Sequence, residues 1–288
     1  MDGLELDADA ELPWWSRTYQ GYQERFVRPY LLELTSELHL ELKQAPCVSA
    51  EHAKEAKASA DGSCTASTVW DAGIMLAAHV YHGNLGCERC NMRCLDLGSG
   101  TGIVGLGAAA SGAFETVVLT DLPSVLPLLR QNTECNAAAL SSSGSHRGSG
   151  SNSTAAAPSA CRVVSHALAW DDRAQLDEVL AEHGPFDLIA GGDLLYRPQV
   201  VQPLLTALEA LVGKRTTVLL AASLQHSPET IRLFVRAARE AGFEVERIDQ
   251  SDRLAAPEAF ASPEVRVLQL RRARKRAAKK KKRLRTDE

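Results

Sequence analysis

The chain has 288 residues, 45% of them hydrophobic and 24% charged, which supports a folded core without disulfide or metal staples and excludes disorder throughout. Aromatics are only 5%, so aliphatic side chains and alanine must fill that core. The net charge of -4 conceals a strong asymmetry: Arg271–Arg285 holds 11 of the 32 basic residues, and residues 1–270 carry 21 basic against 34 acidic side chains.

The acidic opening MDGLELDADAEL lacks the basic, apolar pattern of a secretory signal or transit peptide. Trp14, Trp15, Tyr19 and Tyr22 cluster near the start. Phe26, Tyr30, Leu31, Leu34 and Leu38 then recur at helical spacing and predict an accessory helix over about 26–43, ended by Pro46. Ala50–Ala66 is polar and alanine-rich, a linker or weak helix. Residues 1–66 are thus an N-terminal accessory segment.

From 67 to 270 short apolar runs alternate with amphipathic ones. Strands are expected at Arg93–Leu97, Thr116–Thr120, Cys161–Ser165, Phe186–Ala190, Thr217–Ala222, Phe243–Ile248 and Val265–Leu270. Helices are expected at Asp71–Tyr81, Val104–Ser111, Leu122–Ala139, Gln175–His183, Gln199–Val212 and Pro228–Ala241. This alternation predicts an α/β fold, a mostly parallel sheet with helices on both faces. The last two strands have no intervening helix and are expected to pair antiparallel. Ser141–Pro158 is Ser/Gly-rich and reads as a flexible insertion. The glycine-rich run Leu97–Phe114 is too poor in large side chains to span a membrane, so no membrane partner is expected.

Seven cysteines in such a chain read as reduced thiols of a cytoplasmic or nuclear protein. Cys87, Cys90 and Cys94 lie near His79 and His82, but no second CxxC completes a zinc pattern, Cys94 should face the interior, and no metal is assigned.

Residues 95–102, LDLGSGTG, place a glycine turn between an apolar strand and a helix. Such a turn lets backbone N–H groups and the helix N-terminus approach a ligand. Asp121 closes the next strand, VVLTD, where a carboxylate can accept from a ribose diol. Together they imply an adenosine-containing cofactor. Gly100, Gly102 and Gly105 also satisfy G-x-G-x-x-G, so a nicotinamide oxidoreductase is a rival reading. Asp96 favours the other: a carboxylate inside the first strand repels a diphosphate but suits the ammonium of S-adenosylmethionine.

VWDAG (69–73), LDLGSGTGIVGL (95–106), VVLTD (117–121), LAW (168–170) and FDLIAGGDLLY (186–196) occur in an order that resembles the methyltransferase-16 group of seven-β-strand protein methyltransferases, which includes many lysine methyltransferases. The resemblance spans about Ser67–Leu270 and implies a Rossmann-like class I fold binding S-adenosylmethionine. It implies that Trp70 lines the cofactor pocket, that Gly98, Ser99 and Gly100 approach the methionine end beside Asp96, and that Asp121 holds the ribose. Trp170 would pack near the adenine, although Asp171 stands where the group commonly has glycine. Gly192 would sit near the methionine side.

The resemblance makes Asp193 and Tyr196 the catalytic pair, orienting a deprotonated amine for in-line attack. A simpler role for Asp193 is to cap a helix starting near Pro198, with Tyr196 as packing. Locally, Thr68 and Asp71 form a capping-box pattern before GIMLAA. Leu194 and Leu195 replace the prolines of base and amide methyltransferases, so a lysine of a protein substrate is the expected acceptor; histidine, arginine, RNA and DNA stay open as alternatives. The basic tail, 271–288, is a candidate nuclear signal or a contact for nucleic acid or an acidic protein. A monomer is expected.

Overall fold

A computed structural model describes residues 16, 28–45, 65–83, 92–143, 161–225, 228–248 and 257–273. Cys87, Cys90, the aromatic cluster at 14–22, Pro46, most of Ala50–Ala66 and Ser141–Pro158, and the tail beyond 273 lie outside them.

The segment expected to be helical is instead a two-stranded antiparallel hairpin, β1 (Tyr30–Glu33) and β2 (His39–Leu42), with Leu31 opposite Glu41. The aliphatic spacing was ambiguous between periods, and burial settles it. Leu32, Leu34, Leu40 and Leu42 are buried while Leu31 is 56% exposed, an alternation of period two. Thr35 makes the turn, its Oγ1 accepting from the N–H groups of Glu37 and Leu38.

The remaining strands are β3 (Met92–Leu97), β4 (Phe114–Asp121), β5 (Arg162–Ala167), β6 (Leu188–Gly192), β7 (Thr217–Ser223), β8 (Phe243–Ile248) and β9 (Val265–Arg272). They form one seven-stranded sheet in the order β5-β4-β3-β6-β7-β9-β8. Pairing is parallel from β5 through β7, and β9 runs antiparallel to both β7 and β8. The order reverses between β3 and β6, which opens a crevice at their carboxyl ends. β9 continues past Leu270. Arg272 stacks its guanidinium 4.4 Å from the Phe243 ring centroid and donates to the Glu209 carbonyl, so the first two residues of the basic run belong to the sheet.

The helices are α1 (Asp71–His82), α2 (Ile103–Ala110), α3 (Leu126–Cys135), α4 (Ala137–Ser143), α5 (Arg173–His183), α6 (Val201–Leu211) and α7 (Pro228–Glu240). Successive strand residues go to opposite faces. Cys94, Val117 and Ala190 join the core under α1, α2 and α3, while Leu95, Val118 and Ile189 join the one under α5, α6 and α7. No described helix is long and apolar enough to cross a membrane.

Two helix starts differ from expectation. The Thr68 hydroxyl donates to Gln44 Oε1, and α1 begins on Trp70 without a side-chain cap, so the capping box does not form. The single helix expected over Leu122–Ala139 starts at Leu126, after a turn through Pro123, and breaks at Asn136.

Two asparagines explain how the hairpin attaches. Asn136 accepts from the Glu41 N–H and donates to the Glu41 carbonyl, both at 2.8 Å. Asn132 does the same with Lys43, at 2.8 and 3.1 Å. Four helical residues rise about 6 Å and two strand residues about 6.7 Å, so an i, i+4 pair of amides meets alternate residues on one edge of β2. Both asparagines are buried, and neither was singled out from the sequence, where Asn-x-x-x-Asn looks like an ordinary polar stripe.

Candidate active site

The crevice at the carboxyl end of β3 and β6 is a cavity of about 660 Å³. Every residue put forward from the sequence lines it: Trp70, Asp96, Gly98, Ser99, Gly100, Asp121, Trp170, Gly192, Asp193 and Tyr196.

The glycine turn leaves β3 with Gly98, Gly100 and Gly102 at φ of 64°, 56° and 85°, which side chains rarely tolerate. Space is also restricted. A Cβ on Gly98 would stand 2.9 Å from both Leu194 Cδ2 and Trp170 Cζ2, and one on Gly100 would stand 2.9 Å from the Ala66 carbonyl oxygen. Trp170 therefore packs its indole edge against the glycine turn itself. Ser99 fastens the turn to β4: its N–H donates to the Thr120 carbonyl, and its hydroxyl donates to the Asp96 carbonyl and accepts from the Thr120 N–H.

Asp96 is fully buried. Its Oδ2 accepts the Gly105 N–H at 2.9 Å, while Oδ1 has no hydrogen-bond partner. Burial raises its carboxyl from the ordinary 3.8 to about 7. The Gly105 N–H bond opposes the rise, helped by the nearby Ser99, and the Asp121 charge adds to it. Gly105 is confined too, since a Cβ there would overlap Leu119 Cδ2; the last glycine of the motif lets α2 close onto the sheet.

Asp121 ends β4. Its Oδ2 accepts the Gly100 N–H at 2.8 Å and its Oδ1 the Leu122 N–H at 2.7 Å. Burial lifts its carboxyl to about 6, against those two bonds. Trp70 is anchored by its indole N–H on the Thr65 carbonyl at 2.9 Å. Gly192 faces α1 so closely that a Cβ would approach Gly73 Cα to 2.8 Å, which is why alanine is disfavoured there in this chain.

Asp193 follows β6 directly, at φ 60°, the sole non-glycine residue with positive φ among those described. Its N–H donates to the Ala221 carbonyl at 2.7 Å, and its Oδ1 accepts the Ser223 N–H at 3.1 Å. The capping role is not seen: the short helix at Pro198–Val200 begins on Arg197 without a side-chain cap. This acidic side chain, on a backbone in a sparsely populated conformation, is 8% exposed and stands at the cavity wall. Leu194 and Leu195 behind it are buried, and Tyr196 lines the cavity beside Arg197 and Gln199.

Sequence reasoning missed several wall residues. Leu122 and Pro123 follow Asp121, Leu168 and Ala169 precede Trp170, and Arg197 follows Tyr196. Adjacency to a chosen residue was the available signal. The cysteine–histidine group divides: Cys94 is buried with its thiol raised by burial, burial lowers His79 to about 4, and neither joins a cluster of metal-ligand spacing among the described residues.

A seven-stranded sheet in this order, with a glycine turn after its central strand, an acid closing the next and a ligand-sized crevice at the reversal, defines a Rossmann-like α/β protein of the class I methyltransferase type. The chain belongs to the lysine methyltransferase family, which it matches over residues 52–147 and 151–239. It is 28% identical over 165 residues to the protein N-lysine methyltransferase METTL21A of Mus musculus, covering 57% of this chain and 64% of that one. It is 29% identical over 167 residues to EEF1A lysine methyltransferase 3 of Mus musculus, covering 57% and 60%. The matched region thus spans about three fifths of each relative. A solved TehB-like SAM-dependent methyltransferase from Corynebacterium glutamicum is similar at 14% identity and a TM-score of 0.44, over 77% of this chain and 95% of that one.

The family's methyl donor is S-adenosylmethionine, and the residues present fit it. The buried, unpartnered Asp96 Oδ1 offers an acceptor for an ammonium, and the glycine cradle is kept clear of side chains.

Proposed function

We propose that this protein is an S-adenosylmethionine-dependent N-methyltransferase that modifies a lysine side chain of a protein substrate. The observation that carries the reading is that one cavity is walled both by the glycine turn with the acids Asp96 and Asp121 and by the Asp193–Tyr196 corner.

When bound, S-adenosylmethionine supplies an electrophilic methyl carbon on a sulfonium centre. Asp96 is suited to the donor's ammonium, and its carboxylate gains charge when a cation replaces its missing partner. Asp121, positioned by Gly100 and Leu122, is suited to the ribose hydroxyls. Trp70 and Trp170 close apolar walls. At the corner, the Ser223 N–H on Oδ1 fixes the orientation of the Asp193 carboxylate. That carboxylate directs the lone pair of the acceptor amine and stabilises the positive charge that grows on nitrogen. Tyr196 and the buried Leu194 and Leu195 exclude water from the amine, which must arrive deprotonated.

The test is transfer of labelled methyl groups into a cell lysate, with protease and nuclease controls and hydrolysis to methylated amino acids. Label recovered as methyl-lysine, lost with Asp193→Asn, supports the reading. Label in nucleic acid, or none with any lysate, overturns it. The basic run 271–285 supports delivery to the nucleus. A fluorescent fusion lacking residues 274–288 that keeps the wild-type distribution between nucleus and cytoplasm would refute that role.

A further inference from the structure

Beside the cavity, on the edge strand next to the one that Asp121 ends, three side chains converge that the proposed reaction does not use. His166 is on the edge strand β5, and Glu182 and His183 are in the last turn of α5. One ligand atom from each lies within 4.8 Å of the other two. His183 is 7% exposed, and neither of its ring nitrogens has a hydrogen-bond partner. A buried imidazole so placed leaves two desolvated polar atoms uncompensated. Its Nε2 faces Glu182 Oε2 at 3.6 Å, and its ring stands edge-on to His166 with centroids 5.7 Å apart.

The tautomer of His166 completes the pattern. Its Nδ1 is 2.8 Å from the Ala167 carbonyl oxygen. A carbonyl only accepts, so Nδ1 carries the proton and Nε2 is the ring nitrogen left to face a ligand. A backbone carbonyl accepting from the ring nitrogen that does not bind the ion is how metal-binding histidines are usually oriented. Burial, with the nearby His166, Arg162 and Arg93, holds His183 below the ordinary histidine range, against Glu182. Arg93 points its charge elsewhere, to Glu115 at 2.9 Å and to the carbonyls of His183 and Gly184.

We propose that His166, Glu182 and His183 form a binding site for a divalent transition-metal cation of the Zn²⁺ type, clipping β5 to the end of α5. Two imidazoles and one carboxylate are a borderline ligand set of three, with water as the fourth ligand. Ligand atoms around tetrahedral zinc stand about 3.4 Å apart, a contraction that torsions of half-exposed His166 and exposed Glu182 supply. The clip bears on the proposed active site through the chain itself. Two residues beyond His166, the Leu168 N–H donates to the Asp121 carbonyl at 2.8 Å, and Leu168 lines the cavity.

The experiment is a Co²⁺ titration of the full-length protein, followed by absorption and then by displacement with Zn²⁺. The expected result is one Co²⁺ per chain with visible ligand-field bands and no near-ultraviolet thiolate band, since the site holds no sulfur. His166→Gln and Glu182→Gln, chosen because those side chains are not buried, should each weaken Co²⁺ binding more than about tenfold while keeping the wild-type circular dichroism. Zn²⁺ should raise the melting temperature of the wild type and not of His166→Gln. Folded variants that bind Co²⁺ as tightly as the wild type, or a spectrum of thiolate type alone, would overturn the proposal.

Discussion

Replacing Asp96 by asparagine should stabilise the ligand-free protein at alkaline pH while removing its affinity for the donor. The Asp96 carboxyl rises from 3.8 to about 7 on folding. A raised carboxyl favours the protonated form in the fold, so its cost is absent below pH 3.8, grows as pH rises, and is complete above 7. At about 1.4 kcal/mol per unit, the charged side chain costs about 4 kcal/mol at pH 8. At pH 5.5 only the interval from 3.8 upward counts, and the cost is about 2 kcal/mol. Asparagine keeps an acceptor for the Gly105 N–H but puts an unpartnered amide where Oδ1 lies, a penalty of about 1–2 kcal/mol at either pH. The variant should therefore exceed the wild type by about 2–3 kcal/mol at pH 8 and by less than about 1 kcal/mol at pH 5.5. Urea unfolding at both pH values measures this, with a common slope as the check that the two states are unchanged. A difference that does not change between the two pH values refutes the assignment of the raised carboxyl to Asp96. In the wild type, affinity for S-adenosylhomocysteine should fall as pH drops through 7, because protonated Asp96 no longer attracts the ammonium; titration calorimetry reads this directly.

Asp121→Ala should weaken S-adenosylhomocysteine binding by about 1–3 kcal/mol, since it removes an acceptor and frees the Gly100 and Leu122 N–H groups; unchanged calorimetric affinity would remove Asp121 from the site. Asp193→Asn keeps a side chain that accepts the left-handed backbone and the Ser223 bond, so methyl transfer should fall at least about tenfold with donor affinity intact; equal losses of both would make Asp193 structural. Gly98→Ala should cost about 1–2 kcal/mol from its φ of 64° alone, and the crowding against Trp170 should shift the tryptophan emission. Asn136→Ala removes both bonds to Glu41 and should lower stability by about 2–3 kcal/mol, with new proteolytic cleavage within residues 28–45 as the local readout.

The Rossmann-like sheet was readable because its strands are short, apolar and separated by amphipathic helices, and each expected strand falls within two residues of an observed one. Ten residues of the cavity wall were readable because glycines, acids and tryptophans at strand ends are local signals. The hairpin was not. Tyr30, Leu31, Leu34 and Leu38 satisfy a helical period as well as an extended one, and the deciding partners, Asn132 and Asn136, lie about 90 residues away. Nor could spacing show that Asp193 serves the β6–β7 ladder rather than a helix start, because Ser223 N–H is thirty residues on. His166 and His183 were invisible as a pair for the same reason: one is in a strand, the other at the end of the following helix, and only folding opposes their rings.

Asn132 has a third duty. The same Nδ2 that reaches the Lys43 carbonyl also donates to the carbonyl of Thr101, at 2.8 Å, inside the glycine turn. One amide is thus a shared fastener between the outer ribbon and the donor's cradle. Pulling the ribbon away would unseat that amide and let the cradle lose its shape, so a change made sixty residues upstream of the turn would be felt as poorer donor retention with no alteration to any residue that lines the crevice.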